Sequence, residues 1–223
     1  MIFNASRIKG EIQKNRLYLV KTDGITEFAF QEKQGDTLHI QYLLKEKQYG
    51  LYGEEYRPEF LNQSGHKVVD IFGMIVDESK ENYASFIIDL KETVGGEDGI
   101  FHLIEQWKAT FSYEQVLTQI DMQNFHTEKH FMVATREFEE ERIQNVVQSR
   151  TSELESELQA DKKLPVNNRV KRNTSRLKLE AELKILRSFA NGMVEIMGTE
   201  YPYEVLHLKQ SGGAYECKQV LEL

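Results

Sequence analysis

Cysteine is almost absent from this chain of 223 residues, in which Cys217 is the single cysteine. An intramolecular disulfide and a cysteine-rich zinc site are therefore excluded. No apolar run approaches the roughly eighteen residues that a membrane span requires. The first residues, MIFNASRIKGEIQKNR, also lack the apolar segment of a signal peptide. We expect a cytoplasmic protein without a membrane partner.

Several patterns of well-known sites are missing too. No Gly-x-x-x-x-Gly-Lys follows Gly95-Gly96, so these glycines indicate a turn before a helix rather than a phosphate loop. No Gly-x-Ser-x-Gly pattern supports serine nucleophile chemistry. The chain contains no HExxH pattern. Four of its six histidines are therefore more typical of packing and surface residues than of ligands: His66, His102, His126 and His130.

Acidic residues outnumber basic ones, 36 to 28, and the formal net charge is −8 with a pI of about 5.4. This balance argues weakly against a general polyanion binder. The 40% hydrophobic and 29% charged residues are an ordinary globular mixture. The length suits one domain with an appendage or two small domains. We predict an α/β domain over residues 1–135 and a helical extension with a terminal β-hairpin over residues 136–223.

Hydrophobic periodicity predicts the order of the elements. Aromatic and β-branched runs in residues 16–47 indicate a meander of three strands, either a small sheet or an extension of the main one. From residue 100 onward, apolar residues recur at the spacing of a helix, and a short strand is predicted over 130–135. A polar helix over 137–161, a break at Pro165 and a second helix ending at Asn191-Gly192 come next. The prediction is an α/β fold: a central mixed β-sheet flanked by helices, with an N-terminal β-meander and a C-terminal helical hairpin plus short strands.

One stretch, KVVDIFGMIVDESKENYASFIIDLK at 67–91, has the pattern of a β-hairpin. Its two runs are nearly continuous in apolar residues, as in strands covered on both faces. A turn centred on Ser79 and Lys80 pairs positions that sum to 159, and Asp70 and Asp89 meet this condition. Their carboxylates would face each other across the two strands.

Two facing carboxylates in apolar surroundings repel one another and are costly to bury. A bound divalent cation would remove that cost. Lys91 lies two residues after Asp89 and therefore points to the same face of the sheet. This trio is the principal candidate site.

Asp70, the hairpin and the tripeptide Asp89-Leu90-Lys91 resemble the core motif of the PD-(D/E)XK nuclease superfamily, over roughly residues 54–135. The resemblance implies a restriction-endonuclease-like core and hydrolysis of DNA phosphodiester bonds. Asp70 and Asp89 would bind Mg²⁺ or Mn²⁺, the Leu90 carbonyl would complete the shell, and Lys91 would be the catalytic lysine.

The match has departures from the family pattern. Val69 precedes Asp70 where many members have proline, and the upstream acid is either Glu55 or Glu59. Gln106 matches a glutamine that some branches place on the following helix facing the site. Position 110 is threonine, where those branches have an aromatic residue.

Seven cations and no acid lie between positions 162 and 178, in contrast to the acidic stretch 137–161. Such a segment could contact DNA phosphates. It could instead pair with the acidic helix in an antiparallel hairpin. The predicted nucleic-acid-binding residues are Lys162, Lys163, Arg169, Lys171, Arg172, Arg176 and Lys178.

Other interpretations stay open. Asp70 could cap a loop at a strand end, with Lys91 as its salt-bridge partner. The chain could also be a catalytically inactive nuclease-like subunit that binds a partner protein of a multi-component system. A homodimer, an RNA substrate, and endonuclease roles in restriction, repair or anti-phage defence are all compatible with the sequence.

Overall fold

The computed structural model describes residues 7–14, 16–20, 24–31, 35–57, 67–119, 122–162 and 166–223. Within them the chain is a mixed α/β fold, so the predicted class, with a central mixed sheet flanked by helices, is confirmed. The helices are α1 (Arg7–Gln13), α2 (Glu97–Thr118), α3 (Glu140–Lys162) and α4 (Val166–Ala190). The strands are β1 (Tyr18–Val20), β2 (Gly24–Gln31), β3 (Asp36–Leu44), β4 (Gln48–Glu54), β5 (Ile71–Asp77), β6 (Asn82–Val94), β7 (His126–Phe138), β8 (Met193–Ile196), β9 (Thr199–His207), β10 (Lys209–Ser211) and β11 (Ala214–Leu221).

The larger sheet has seven strands in the order β1-β4-β5-β6-β7-β9-β8. The β6–β7 and β7–β9 pairs are parallel, and the other pairs are antiparallel. Helix α2 provides the crossover that parallel β6 and β7 require. The hairpin β5–β6 therefore lies in the interior of the sheet, as its continuous apolar runs predict.

The β5–β6 register agrees with the prediction. Ile71 pairs with Ile88, and the ladder continues to Asp77 opposite Asn82, so paired positions sum to 159. At the turn, the Asp77 carboxylate accepts hydrogen bonds from the backbone N–H groups of Ser79 (3.0 Å) and Lys80 (3.2 Å). This Asx-type turn fixes the register.

Both faces of the hairpin are covered. One face packs Phe72 and Ile87 into a core that includes Trp107 of α2. The other packs Ile71 and Ile88 against the second sheet, whose order is β10-β11-β3-β2. The direction of the Asp70 and Asp89 side chains therefore decides whether the candidate site lies on the α2 side or on the second-sheet side of the hairpin.

The three predicted N-terminal strands form, but they are divided between the sheets. β1 pairs with β4 at the edge of the larger sheet, whereas β2 and β3 pair in the second. Residues 48–54, between the predicted meander and the predicted hairpin, form the additional strand β4. Residues 58–66, which include Glu59, lie outside the described residues.

The predicted helical hairpin is present as α3 and α4. The buried stripe of α4 includes Leu179, Leu183 and Leu186, and Gly192 follows the helix with φ of +76°, the left-handed conformation that glycine favours. Strands β8 and β9 then join the larger sheet beside β7. The boundary at residue 135 stays a prediction.

Among the described residues, no helix combines the length and the apolar character needed to cross a membrane.

Candidate functional site

The two predicted acids lie at adjacent ends of the hairpin strands. Asp70 immediately precedes β5, opposite Asp89 in the continued register. By strand alternation both side chains lie on the side of Phe72 and Ile87, which is the side that α2 covers. Asp89 is fully buried, whereas Asp70 is half-buried. One acid of the pair is therefore accessible from solvent.

A hydrogen bond holds the Asp70 carboxylate, and an ion pair holds that of Asp89. Asp70 Oδ2 accepts the backbone N–H of Leu90 at 2.7 Å, which ties it directly to β6. Asp89 Oδ2 forms an ion pair with Lys91 Nζ, and Lys91 Nζ also donates to the Leu90 carbonyl at 3.2 Å. Asp70, Asp89, Leu90 and Lys91 are thus brought together.

Helix α2 closes the buried side of this site. Gln106 is 6% exposed, and its Nε2 donates to the Val68 carbonyl at 2.8 Å and contacts Asp89 Oδ1 at 3.4 Å. One turn later, Thr110 Oγ1 accepts the Val69 N–H at 3.2 Å. The glutamine and the threonine therefore hold the segment that leads into Asp70.

Burial raises the pKa of Asp89 to about 8, with the Lys91 charge opposing this shift. The negative charge of Asp70 and a hydrogen bond between the two carboxyl groups raise the pKa further. At neutral pH the pair therefore retains a proton, as expected of facing carboxylates.

The donor set fits a hard divalent cation. It comprises two carboxylates and the Leu90 carbonyl, all oxygen ligands, and Mg²⁺ is commonly bound through one or two carboxylates with water. Asp89 Oδ2 is buried, contacts Lys91, and receives no hydrogen bond of good geometry from the described residues. Across the described ranges, however, no group of three or more His, Cys, Asp and Glu residues could hold a metal. The carboxylates at the site thus number two in the described structure.

An open cavity of about 530 Å³ borders the accessible acid. The backbone N–H of Glu55, an exposed residue, donates to the Asp70 carbonyl at 2.8 Å. The backbone of Glu55 is thus next to that of Asp70, but no third carboxylate joins the acid pair within the described ranges, and the alternative Glu59 falls outside them. The residues that line the cavity are Phe30, Gln31, Glu54, Glu55, Asp70, Ile71 and Leu90.

The predicted basic segment is described only in part. Arg176 pairs with Glu180 and Lys178 with Glu182, each at 3.5 Å within α4. The side chains of the remaining cations lie outside the described residues: Lys162, Lys163, Arg169, Lys171 and Arg172. Their role in binding nucleic acid stays a prediction.

His102, predicted from sequence as a packing or surface histidine, lies near the site. His102 lies on α2 one turn before Gln106, within electrostatic reach of Lys67 and Lys91. The four-residue spacing from Gln106 places the two on one helix face and is the signal that could have found it.

Comparisons with protein-family models, curated proteins and solved structures find no match to the chain. The class of the site therefore depends on its own geometry: a mixed sheet that presents a facing acid pair and a lysine, with Asp70 of that pair lining an open cavity.

Proposed function

We propose that the chain is a metal-dependent nuclease that hydrolyses DNA phosphodiester bonds with Mg²⁺ or Mn²⁺. The observation that carries this proposal is the convergence of Asp70, Asp89 and Lys91 at one end of the hairpin. The order of antiparallel hairpin, helix and parallel strand, which the resemblance also involves, supports it.

The residues have separate roles in this proposal. Asp70, Asp89 and the Leu90 carbonyl would hold the cation. When bound, the cation supplies Lewis-acid polarisation of a phosphoryl oxygen. Lys91 Nζ, now paired with Asp89, would stabilise the negative charge that develops on the phosphoryl group. Gln106 orients the Asp89 carboxylate from the helix side.

A catalytically inactive nuclease-like subunit that binds a partner protein is the second candidate. Two observations favour it. The described residues bring only two carboxylates to the site, and the ammonium group of Lys91 is already paired with one of them.

The decisive experiment is a cleavage assay on supercoiled plasmid, linear duplex, single-stranded DNA and RNA. Each substrate is incubated with Mg²⁺, Mn²⁺ or a chelator. We expect metal-dependent cleavage of DNA that Asp70→Asn, Asp89→Asn and Lys91→Ala each abolish. Asp98→Asn, an exposed acid in the first turn of α2, is the matched control and should retain activity.

Isothermal titration separates the two candidates. Mg²⁺ or Mn²⁺ should bind the unaltered protein and fail to bind Asp70→Asn and Asp89→Asn. Absence of metal binding by the unaltered protein would exclude the nuclease and favour the inactive subunit. Cleavage of RNA but not of DNA would support metal-dependent phosphodiester hydrolysis and make RNA the substrate.

A further inference from the structure

Helix α2 presents a polar stripe to the sheet. Its members recur every four residues, so each lies next to the following one along the helix surface. Four of the five are buried, and the first is half-buried. The stripe consists of His102, Gln106, Thr110, Glu114 and Thr118.

Two contacts fix where the stripe lies on β6. Gln106 contacts Asp89, whereas Glu114 pairs with Lys129, which is beside Ser85 in the β6–β7 ladder. Helix numbering therefore rises as strand numbering falls. Four helix residues rise about 6 Å, close to the length of two strand residues. His102, one turn before Gln106, accordingly lies over Lys91.

Two lysines lie within electrostatic reach of His102. Lys67 directly precedes Val68, whose carbonyl accepts the Gln106 hydrogen bond, so this second lysine reaches the same end of α2. Burial, followed by the charges of Lys67 and Lys91, lowers the pKa of His102, and Glu105 opposes them. Among the described residues the His102 ring makes no hydrogen bond. The neutral ring therefore has an N–H donor available.

We infer that Lys67, Lys91 and His102 form an anion subsite beside the Asp70–Asp89 pair and that it binds a phosphate group. The assignment of that phosphate to a nucleic-acid diester rests on the proposed function. The exposed Lys67 ammonium and the Lys91 ammonium, which is also paired with Asp89, supply charge, and the imidazole N–H supplies direction. His102 and Lys67 are binding residues in this inference.

The test uses the full chain in chelator, so that no cleavage can occur. Histidine-labelled protein at neutral pH is titrated with inorganic phosphate and with the dinucleotide thymidylyl-thymidine, each against chloride of equal ionic strength. His102→Gln identifies the His102 ring resonances by their loss. We expect both ligands to shift those resonances saturably.

Variants assign the contacts. Lys67→Ala removes an exposed side chain and should weaken binding of both ligands about tenfold, as loss of one charge-assisted contact does. Lys80→Ala, an exposed lysine at the opposite end of the hairpin, is the control and should bind like the unaltered protein. An absent or non-saturable shift would overturn the inference. So would an unchanged affinity in Lys67→Ala. A response to inorganic phosphate alone would support the anion subsite and overturn its assignment to a nucleic-acid diester.

The outcome is separate from that of the cleavage assay. Saturable binding without metal-dependent cleavage would support the anion subsite and exclude the nuclease function. Cleavage without a change in the His102 resonances would support the nuclease function and exclude the anion subsite.

Discussion

Asp89 and Lys91 form an ion pair although they are two residues apart on the same strand. The carboxylate is fully buried, while the lysine side chain retains 25% of its exposure. The lysine thus provides a partner that can reach solvent, and the acid cannot. Because of this asymmetry, the stability of the folded protein depends more on the ionisation of Asp89 than on that of Lys91.

Replacing Asp89 with asparagine should stabilise the metal-free protein at alkaline pH. The pKa of Asp89 rises from an ordinary 3.8 to about 8 in the folded state. Its contribution to folding is therefore fully present below pH 3.8 and is lost as the pH rises through 8. Asp89→Asn should differ little from the unaltered protein at pH 4 and be more stable by a few kcal/mol at pH 9. Urea unfolding across this range, in chelator, measures the difference.

The control for this prediction is Asp98→Asn, because Asp98 is an exposed acid. Its free energy of unfolding should parallel that of the unaltered protein at every pH. A constant difference between Asp89→Asn and the unaltered protein would contradict the raised pKa.

Gln106→Ala should lower the free energy of unfolding by about 1–3 kcal/mol, since the buried Val68 carbonyl loses its side-chain donor. Thermal or urea unfolding measures the loss. Gln115→Ala is the matched control, because Gln115 is exposed on the same helix. Equal effects of the two substitutions would show that Gln106 does not fix the segment before β5.

The central hairpin could be predicted from sequence because its signals are local. Apolar runs define the two strands, and the turn residues set the register that brings Asp70 opposite Asp89. Strand β4 could not be found this way. Its sequence, QYGLYGE, contains two glycines, which are depleted in strands, and it depends on pairing with β5.

Contacts between distant segments could not be predicted from the sequence either. Leu38 pairs with Cys217 in the parallel β3–β11 ladder, and no local pattern indicates that the last strand returns to the N-terminal part. The placement of His102 over Lys91 depends likewise on how α2 packs on β6. Periodicity defines a helix face but does not specify the strand residues that this face covers.

Breaking the buried ion pair between Glu114 and Lys129 should be costly. Glu114 is fully buried, Lys129 is 5% exposed, and Lys129 Nζ also donates to Tyr83 Oη at 3.0 Å. Lys129→Met leaves a buried carboxylate without its cation and should lower the free energy of unfolding by about 3–5 kcal/mol. Chemical unfolding at pH 7 provides the measurement.

The double variant Glu114→Leu with Lys129→Met tests the cause. Removing both charges should recover much of the stability lost in the single variant, since an apolar pair has no unpaired charge. Lys178→Met breaks an exposed pair with Glu182 and should leave stability nearly unchanged. A double variant as unstable as Lys129→Met would point to packing rather than charge.

Two glycines make room for Tyr42 between the sheets. Tyr42 is fully buried, and its hydroxyl donates to the Leu51 carbonyl at 2.8 Å. A Cβ at Gly73 would lie 2.7 Å from the Tyr42 hydroxyl oxygen, and one at Gly50 would lie 2.7 Å from ring carbon Cδ1. Each glycine-to-alanine change should therefore lower the free energy of unfolding by about 1–3 kcal/mol.

Tyr42→Phe distinguishes the two clashes, because it removes the hydroxyl and keeps the ring. Gly73→Ala combined with Tyr42→Phe should be less destabilised than the sum of the single variants, by about 1 kcal/mol. Gly50→Ala combined with Tyr42→Phe should be close to additive, since the contact with Cδ1 persists. Urea unfolding of the two double-mutant cycles measures both coupling energies. Equal coupling energies would contradict the separate contacts that place Tyr42 between Gly50 and Gly73.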